Sequence, residues 1–165
     1  MTDIQNFIDE ALIRNVHLRY CRGVDRLDWD LVRSCYHPDA TDEHGSYSGG
    51  IDGFIAWISA GLPRFESTTH FTGNQLVEVT GDIAWAEHYA IVSHRRGATA
   101  AEPAADLIVN VRYIDRMERR DGEWRIGKRV VIADSEKLET IEGSWLNLAH
   151  LQPSRRDRTD YSYER

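Results

Sequence analysis

The chain has 165 residues and a formal net charge of −7, with 27 acidic and 20 basic residues. This length suits one globular domain, and a composition of 41% hydrophobic and 28% charged residues excludes a disordered chain. The acidic balance argues against a nucleic-acid partner, no apolar run is long enough for a membrane span, and the start MTDIQNFIDE lacks the pattern of a signal peptide. We therefore expect a cytoplasmic protein in which Cys21 and Cys35 are reduced thiols.

Two helices are predicted at the start of the chain. In the first, apolar residues recur at helical spacing and predict one core-facing side. These residues are Ile4, Phe7, Ile8, Ala11, Leu12, Val16 and Tyr20. Gly23 should end this helix. Asp28 is placed to cap a second helix from Trp29 to about Tyr36, which Pro38 should stop.

The pattern then changes from helical to strand spacing. The stretch HPDATDEHGSYSGG is typical of a polar loop or short hairpin, and a third helix should run from Ile51 to Leu62, before Pro63. Alternation and the turns TGD and DGE predict four long strands, at residues 69–80, 82–95, 105–120 and 123–135. Helices followed by hairpin-linked strands indicate an α+β domain with an antiparallel sheet.

Alternation within two strands marks candidate pocket residues. In the third strand, one face carries Leu107, Val109, Val111 and Tyr113. In the fourth strand, Arg129 shares a face with Val131 and Ala133. Arg129 therefore either points at an apolar pocket or reaches solvent from the end of its strand.

Three acids lie close together in YCRGVDRLDWD. Asp28 has a capping role, and Asp30 in the first turn of the second helix complements the helix dipole. Asp25 has no such structural task. It can turn inward and orient a histidine, or pair on the surface with Arg22 or Arg26.

His70 opens the first long strand in TTHFTGN. Thr72 and Asn74 follow at alternate positions, so a polar line enters the pocket unless Gly73 forms a bulge that shifts the parity. A lone histidine is either a packing residue or a proton-transfer group. If Asp25 holds one ring nitrogen, the tautomer is fixed and the other nitrogen is free to remove a proton.

Three stretches carry a resemblance to a known family: GVD followed by Arg26, THFTGN around His70, and ERRDGEWRIGKR. In order and spacing they resemble the SnoaL-like branch of the nuclear transport factor 2 superfamily, over roughly residues 4–136. The resemblance implies a cone in which three N-terminal helices pack against a curved antiparallel sheet around a deep pocket. Residues 137–165 would be a C-terminal extension of the same domain.

The resemblance also implies roles for individual residues. In the family's dehydratases and its hexachlorocyclohexane dehydrochlorinase, a catalytic aspartate corresponds to Asp25 of this chain and a histidine base corresponds to His70. An arginine that assists the leaving group falls on Arg129, a tyrosine before the aspartate falls on Tyr20, and a pocket-lining position falls on Tyr113. Members of this family commonly form dimers or trimers, so the resemblance also implies a homodimer or homotrimer.

The implied function is a cofactor-independent lyase, a dehydratase or related enzyme, that acts on a small apolar, aromatic or cyclic substrate. Candidate substrate contacts are Tyr47, Asn74, Trp85, Val109, Val111, Tyr113 and Val131. An isomerase or polyketide-cyclase reaction is an alternative, as is a non-catalytic ligand-binding or structural subunit of the same fold.

Three further features leave alternatives open. His88 would be a second inner histidine, but alternation puts it on one face with Ala84 and Ala86, and its place is undecided. The cluster HPDATDEH is a solvated loop or a divalent-metal site, and we expect no metal. The tail carries apolar residues that could pack on a neighbouring subunit or at the pocket mouth. These are Trp145, Leu146, Leu148 and Leu151.

Overall fold

A computed structural model describes residues 4–143 and 150–164 of the chain. Three helices are followed by the long strands of the sheet. The helices are α1 (Ile4–Asp25), α2 (Trp29–Ser34) and α3 (Ile51–Gly61). The strands are β1 (Tyr36–His44), β2 (Tyr47–Gly50), β3 (Ser67–Thr80), β4 (Ile83–Arg96), β5 (Ala105–Arg120) and β6 (Glu123–Thr140). Short 3₁₀ turns cover Leu62–Arg64 and Tyr161–Tyr163.

The six strands form one curved, open sheet in the order β2-β1-β6-β5-β4-β3. The pairs β1–β2, β3–β4, β4–β5 and β5–β6 are antiparallel, whereas β1 and β6 run parallel. The predicted α+β fold with a curved sheet is confirmed, and one parallel pair makes that sheet mixed. The stretch predicted as a loop or hairpin supplies β1 and β2, which join at Gly45 in the left-handed region.

Two predicted helix ends were wrong. Helix α1 continues through Gly23 to Asp25, because glycine there allows α2 to approach closely. A Cβ on Gly23 would lie 2.8 Å from Cγ2 of Val32. Helix α2 ends at Ser34, since the carbonyl of Cys35 already accepts a hydrogen bond from the backbone of Ile126 in β6 (2.8 Å).

The core-facing side of α1 also differs from the apolar pattern. The buried residues of this helix are Asp9, Ile13, Val16, His17, Tyr20, Cys21, Gly23 and Val24. Five residues of the predicted face are exposed instead, namely Ile4, Phe7, Ile8, Ala11 and Leu12. Asp9 tolerates burial because it accepts hydrogen bonds from Nη1 of Arg119 (2.9 Å) and Nε1 of Trp124 (2.9 Å).

Beyond the sheet, residues 150–164 form a C-terminal segment that packs on the turn between α1 and α2. Tyr163 donates to Oδ2 of Asp28 (3.1 Å), and Nη2 of Arg22 donates to Ser162 (3.1 Å). Of the tail's predicted packing residues, Leu151 is exposed, and Trp145, Leu146 and Leu148 lie outside the described residues. Within the described part of the chain, every helix is too short or too polar to cross a membrane.

Candidate active site

A cavity of about 480 Å³ opens between the concave face of the sheet and the helices. Residues from α1, the end of β1 and the turn after it, α3 and four further strands line it. The lining includes Tyr20, Val24, His44, Trp57, Ile58, Leu62, Phe65, His70, Val92, His94, Leu107, Val109, Val111, Tyr113, Val131 and Ala133. Most of these side chains are aliphatic or aromatic, and a few polar groups lie among them. This composition and volume suit a small, largely apolar ligand.

Asp25 and His70 meet at one side of this cavity. Nδ1 of His70 lies 2.7 Å from Oδ1 of Asp25, and the backbone N–H of His70 donates to Oδ2 (3.0 Å). Since a carboxylate only accepts, this network places the ring proton on Nδ1. Nε2 is thereby left with a free lone pair on a ring that lines the cavity.

The end of α1 and the start of β3 hold this pair together. Asp25 is the last residue of α1, and Leu27 then adopts a left-handed backbone (φ 54°) that turns the chain away. Thr68 of β3 also donates from its hydroxyl to Oδ1 of Asp25 (3.0 Å). The side chain of His70 is only 5% exposed and that of Asp25 16%, so bulk water competes little for their contact.

Tyr20 and Tyr113 lie beside the pair as neutral phenols. Burial raises the pKa of both hydroxyl groups well above the ordinary value of a tyrosine. The ring of Tyr20 is 6.5 Å from that of His70 and 6.0 Å from that of Tyr113, in edge-on arrangements. Both phenols therefore keep their protons near neutral pH and can serve as hydrogen-bond donors.

Arg129 points inward, which is one of the two alternatives that its alternation left open, but it lies beneath the cavity wall. The guanidinium is fully buried and donates from Nε (2.7 Å) and Nη2 (2.6 Å) to the two oxygens of Asp115. Its central carbon lies 4.2 Å from the ring centre of Tyr20 and 4.5 Å from that of Tyr113. Arg129 is not among the residues that line the cavity, so direct contact with a leaving group does not fit this position.

The predicted substrate contacts divide into two groups. Four line the cavity: Val109, Val111, Tyr113 and Val131. The other three lie elsewhere, which corrects the prediction. Trp85 is 53% exposed on the outer face of the sheet, because it alternates with the inward Ala84 and Ala86.

Asn74 and Tyr47 are also displaced from the cavity. The pairing of β3 with β4 shifts between Thr72 and Gln75, and this bulge turns Asn74 outward. Tyr47 packs under α3, where its hydroxyl donates to the carbonyl of Gly50 (2.5 Å) and its ring stacks on Trp57 (5.8 Å).

Sequence reasoning missed two histidines of the cavity. Nδ1 of His44 lies 3.2 Å from Oδ1 of Asp42, a fully buried carboxylate that also accepts from the hydroxyl of Tyr36 (2.7 Å). His94 is near His70, with ring centres 6.3 Å apart. Burial and then the neighbouring His70 lower the pKa of His94 to about 4, so it is neutral at physiological pH. Extending the alternation of β4 from Ala90 would have pointed to His94.

The polar cluster considered as a metal site does not converge. Nε2 of His37 lies 2.9 Å from the carbonyl of Glu118, Asp39 pairs with Arg120, and Glu43 pairs with Lys128. Each group therefore has its own protein partner.

A different group comes closer to metal-ligand spacing within the described residues. The candidate ligand atoms of His17, His88 and Asp115 lie within 4.8 Å of one another. The two imidazoles are stacked at 4.0 Å, and both oxygens of Asp115 already accept from Arg129. Stacked rings and a neighbouring guanidinium fit a divalent cation poorly.

Comparison with known proteins assigns the chain to a family. The sequence model of the SnoaL-like domain matches residues 5–130, which include Asp25, His70 and Arg129. No curated protein sequence matches the chain significantly.

Several solved structures share the fold. A proposed scytalone dehydratase from Novosphingobium aromaticivorans has 18% identity and a TM-score of 0.74, over 87% of this chain and 95% of that one. Hexachlorocyclohexane dehydrochlorinase LinA-type3 from Novosphingobium barchaimii has 19% identity and a TM-score of 0.70, over 88% and 99%. A protein of unknown function from Mycobacterium tuberculosis has 26% identity and a TM-score of 0.68, over 79% and 74%.

Proposed function

Because the chain belongs to the family of SnoaL-like domains, we propose that it is a cofactor-independent lyase, a dehydratase or related elimination enzyme. Its substrate would be a small apolar molecule, aromatic or cyclic. The observation that carries the proposal is the 2.7 Å contact between His70 and Asp25 at the wall of an otherwise mainly apolar cavity. A purely structural domain has no need of that arrangement. The dehydratase and dehydrochlorinase among the structural neighbours add support.

The reaction begins with proton removal by His70. Nε2 takes a proton from a carbon that a neighbouring carbonyl, aromatic ring or halogen makes acidic. The electron pair of the broken C–H bond forms a C=C bond as the leaving group departs from the adjacent carbon. Asp25 accepts from the Nδ1–H throughout and stabilises the imidazolium that forms.

Developing negative charge on the substrate needs hydrogen-bond donors. Tyr20 and Tyr113 fill this role as neutral phenols at the cavity wall. Arg129 lies under both rings, so its positive charge acts on the site through the tyrosines. His44, oriented by Asp42, is a further candidate donor to the leaving group.

The same base supports isomerisation when the proton returns to a different carbon, and a cyclase reaction when the carbanion attacks an internal carbonyl. A non-catalytic domain of this fold would bind its ligand without exchanging any proton. The products formed and the proton exchange therefore distinguish elimination from isomerisation, cyclisation and ligand binding.

The test is a screen of hydroxylated and halogenated cyclic compounds. In D₂O buffer, base action appears as deuterium at the acidic carbon, and elimination appears as new ultraviolet absorbance from the C=C bond. We expect His70→Gln and Asp25→Asn to lower both rates by about 10²- to 10⁴-fold. His150→Gln and Asp30→Asn are matched controls at exposed positions. Near-normal rates in both site variants would remove the mechanism.

We also propose that the protein is cytoplasmic and forms a homodimer or homotrimer. The two buried, unpaired cysteines support the location. The outer face of the sheet supports self-association, since it exposes large apolar side chains. These include Phe71, Leu76, Trp85, Tyr89 and Ile91.

A further inference from the structure

The C-terminal segment lies beyond residue 130, where the match to the family ends, yet it contacts the chain turn that carries Asp25. Arg158 pairs with Asp28 (3.0 Å), which Tyr163 also contacts. The guanidinium of Arg22 lies over the ring of Tyr163, 4.6 Å from its centre. The segment is therefore anchored next to the candidate active site.

Arg156 of this segment reaches four acceptors from different parts of the chain. Nη1 donates to the carbonyls of Leu62 (3.0 Å) and Phe65 (2.7 Å). Nη2 donates to the hydroxyl of Thr68 (3.1 Å), and Nε donates to the carbonyl of Asp25 (3.3 Å). A single planar side chain thus ties the end of α1 to the turn after α3 and to the start of β3.

These contacts lead directly to the dyad. The Thr68 hydroxyl accepts from Arg156 and donates to Oδ1 of Asp25, the oxygen that also meets Nδ1 of His70. Burial lowers the pKa of Arg156, and the negative charge of Asp25 opposes that effect. The guanidinium is thus a partly dehydrated cation beside the dyad's carboxylate.

Arg156 also binds the backbone of two residues in the cavity wall. Leu62 and Phe65 line the cavity, and their carbonyls are the two acceptors of Nη1. Loss of the guanidinium would leave both carbonyls and the Thr68 hydroxyl without this donor. The turn after α3 would then be less firmly placed against β3.

We propose that Arg156 is a positioning residue of the active site: it fixes the Asp25 carboxylate against His70 and holds the turn after α3 in place in the cavity wall. Its catalytic consequence rests on the proposed role of His70 as a base. The effect of Arg156 on the protonation of the His70 ring does not depend on that role, because it follows from charge and hydrogen bonding alone.

The sign of the electrostatic effect follows from the groups that surround His70. Asp25 favours the protonated ring, and the positive charge of Arg156 opposes it. Among the described residues, the rings of His94 and Tyr20 flank that of His70, and the thiol of Cys21 lies near Asp25. Burial lowers the pKa of His94 and raises the pKa of Tyr20 and of Cys21, so all three are neutral at physiological pH, and Arg26 lies beyond Arg156. Removal of the Arg156 charge should therefore make His70 easier to protonate.

The experiment is an NMR titration of the His70 ring, assigned by its absence in His70→Gln. We expect Arg156→Met to raise the titration midpoint. Arg156→Lys retains the charge but cannot reach all four acceptors, so its midpoint should stay near that of the unsubstituted protein. Arg155→Met, at the neighbouring exposed position, is the matched control and should not move it.

A folded Arg156→Met protein with an unmoved midpoint would overturn the electrostatic part of the proposal. If Arg156→Met does not fold, Arg156→Gln replaces it with the same expected shift. In the deuterium-exchange assay, Arg156→Lys should lower the turnover rate roughly 10-fold with a smaller effect on KM. Unchanged turnover in that variant would overturn the positioning part.

The outcome of the titration, unlike that of the turnover assay, is independent of the proposed lyase activity. If the titration shifts as expected but no compound undergoes exchange or elimination, the placement of Arg156 holds and the proposed function fails. If elimination occurs and the midpoint does not shift, the function holds and the role of Arg156 fails.

Discussion

His88 occupies a position in the core where a proton would be costly. Its ring stacks between His17, at 4.0 Å, and Tyr113, at 4.7 Å, and it is fully buried. Among the described residues, neither ring nitrogen has a hydrogen-bond partner. Burial, and then the charge of His17, lower the pKa of His88 to about 2.

This lowered pKa predicts a loss of stability in acid. A histidine has a pKa near 6.5 in the unfolded chain, so between that value and about 2 the unfolded state binds a proton that the folded state refuses. The stabilising effect is complete above pH 6.5 and declines as the pH falls. At pH 4.5, two pH units below the unfolded value, the loss is about 2.7 kcal/mol, from about 1.36 kcal/mol per unit.

The measurement compares the unsubstituted protein with His88→Phe by urea unfolding at pH 7.5 and pH 4.5. Phenylalanine keeps the stacked ring and cannot bind a proton. The variant should therefore lose about 2.7 kcal/mol less free energy of unfolding between the two pH values. Any constant packing cost of the larger ring cancels in this difference.

His150→Phe, at an exposed position, is the control and should follow the unsubstituted protein. Titrations of His94 and of the carboxylates occur in both proteins and also cancel. Equal losses in His88→Phe and the unsubstituted protein would show that His88 is not held neutral by the fold.

Three other substitutions test separate parts of the structure. Arg129→Met should lower the free energy of unfolding by about 3–5 kcal/mol, because the buried Asp115 carboxylate loses its guanidinium partner and keeps only Nε2 of His17, at 3.0 Å; a loss below about 1 kcal/mol in urea unfolding would contradict this reason. Gly23→Ala should cost about 1–3 kcal/mol, since the new Cβ meets Val32 at 2.8 Å; thermal unfolding measures it, and unchanged stability would refute the close approach. Trp85→Glu should reduce the molar mass found by light scattering if the outer sheet face joins subunits, and an unchanged mass would exclude that face.

The sheet could be predicted in detail because its signal is local. Strand β5 begins and ends at the predicted residues, and the inward placement of Leu107, Val109, Val111 and Tyr113 followed from alternation alone. Alternation fails where a bulge changes the parity, as it does before Asn74.

The buried polar groups could not be predicted, since their partners come from distant parts of the chain. Asp9 is buried in α1 because Arg119 and Trp124 arrive from β5 and β6. Arg129 faces inward, one of its two expected placements, but only its register opposite Asp115 shows that an ion pair takes it away from the cavity. The spacing of apolar residues predicts neither the burial of Asp9 nor the ion pair of Arg129.

The contact between Asp25 and His70 could be predicted by a different argument. Helix caps and dipoles assigned the neighbouring acids, and this left one carboxylate without a structural task. The residue that fixes that carboxylate, Arg156, gave no such signal, because it sits in a charged tail with no periodic pattern.

The parallel pairing of β1 with β6 sets the order in which the molecule can be assembled. Thr41 lies opposite Lys128, and Glu43 lies opposite Val130. Strand β1 therefore cannot pair with its neighbour in the middle of the sheet until β6, the last strand, is present. On the ribosome, β3, β4 and β5 can form hairpins as they emerge, whereas the wall that contains His44 closes only after β6 has been synthesised. A nascent chain stalled before β6 would therefore expose the interior of the cavity to the chaperones of the cell.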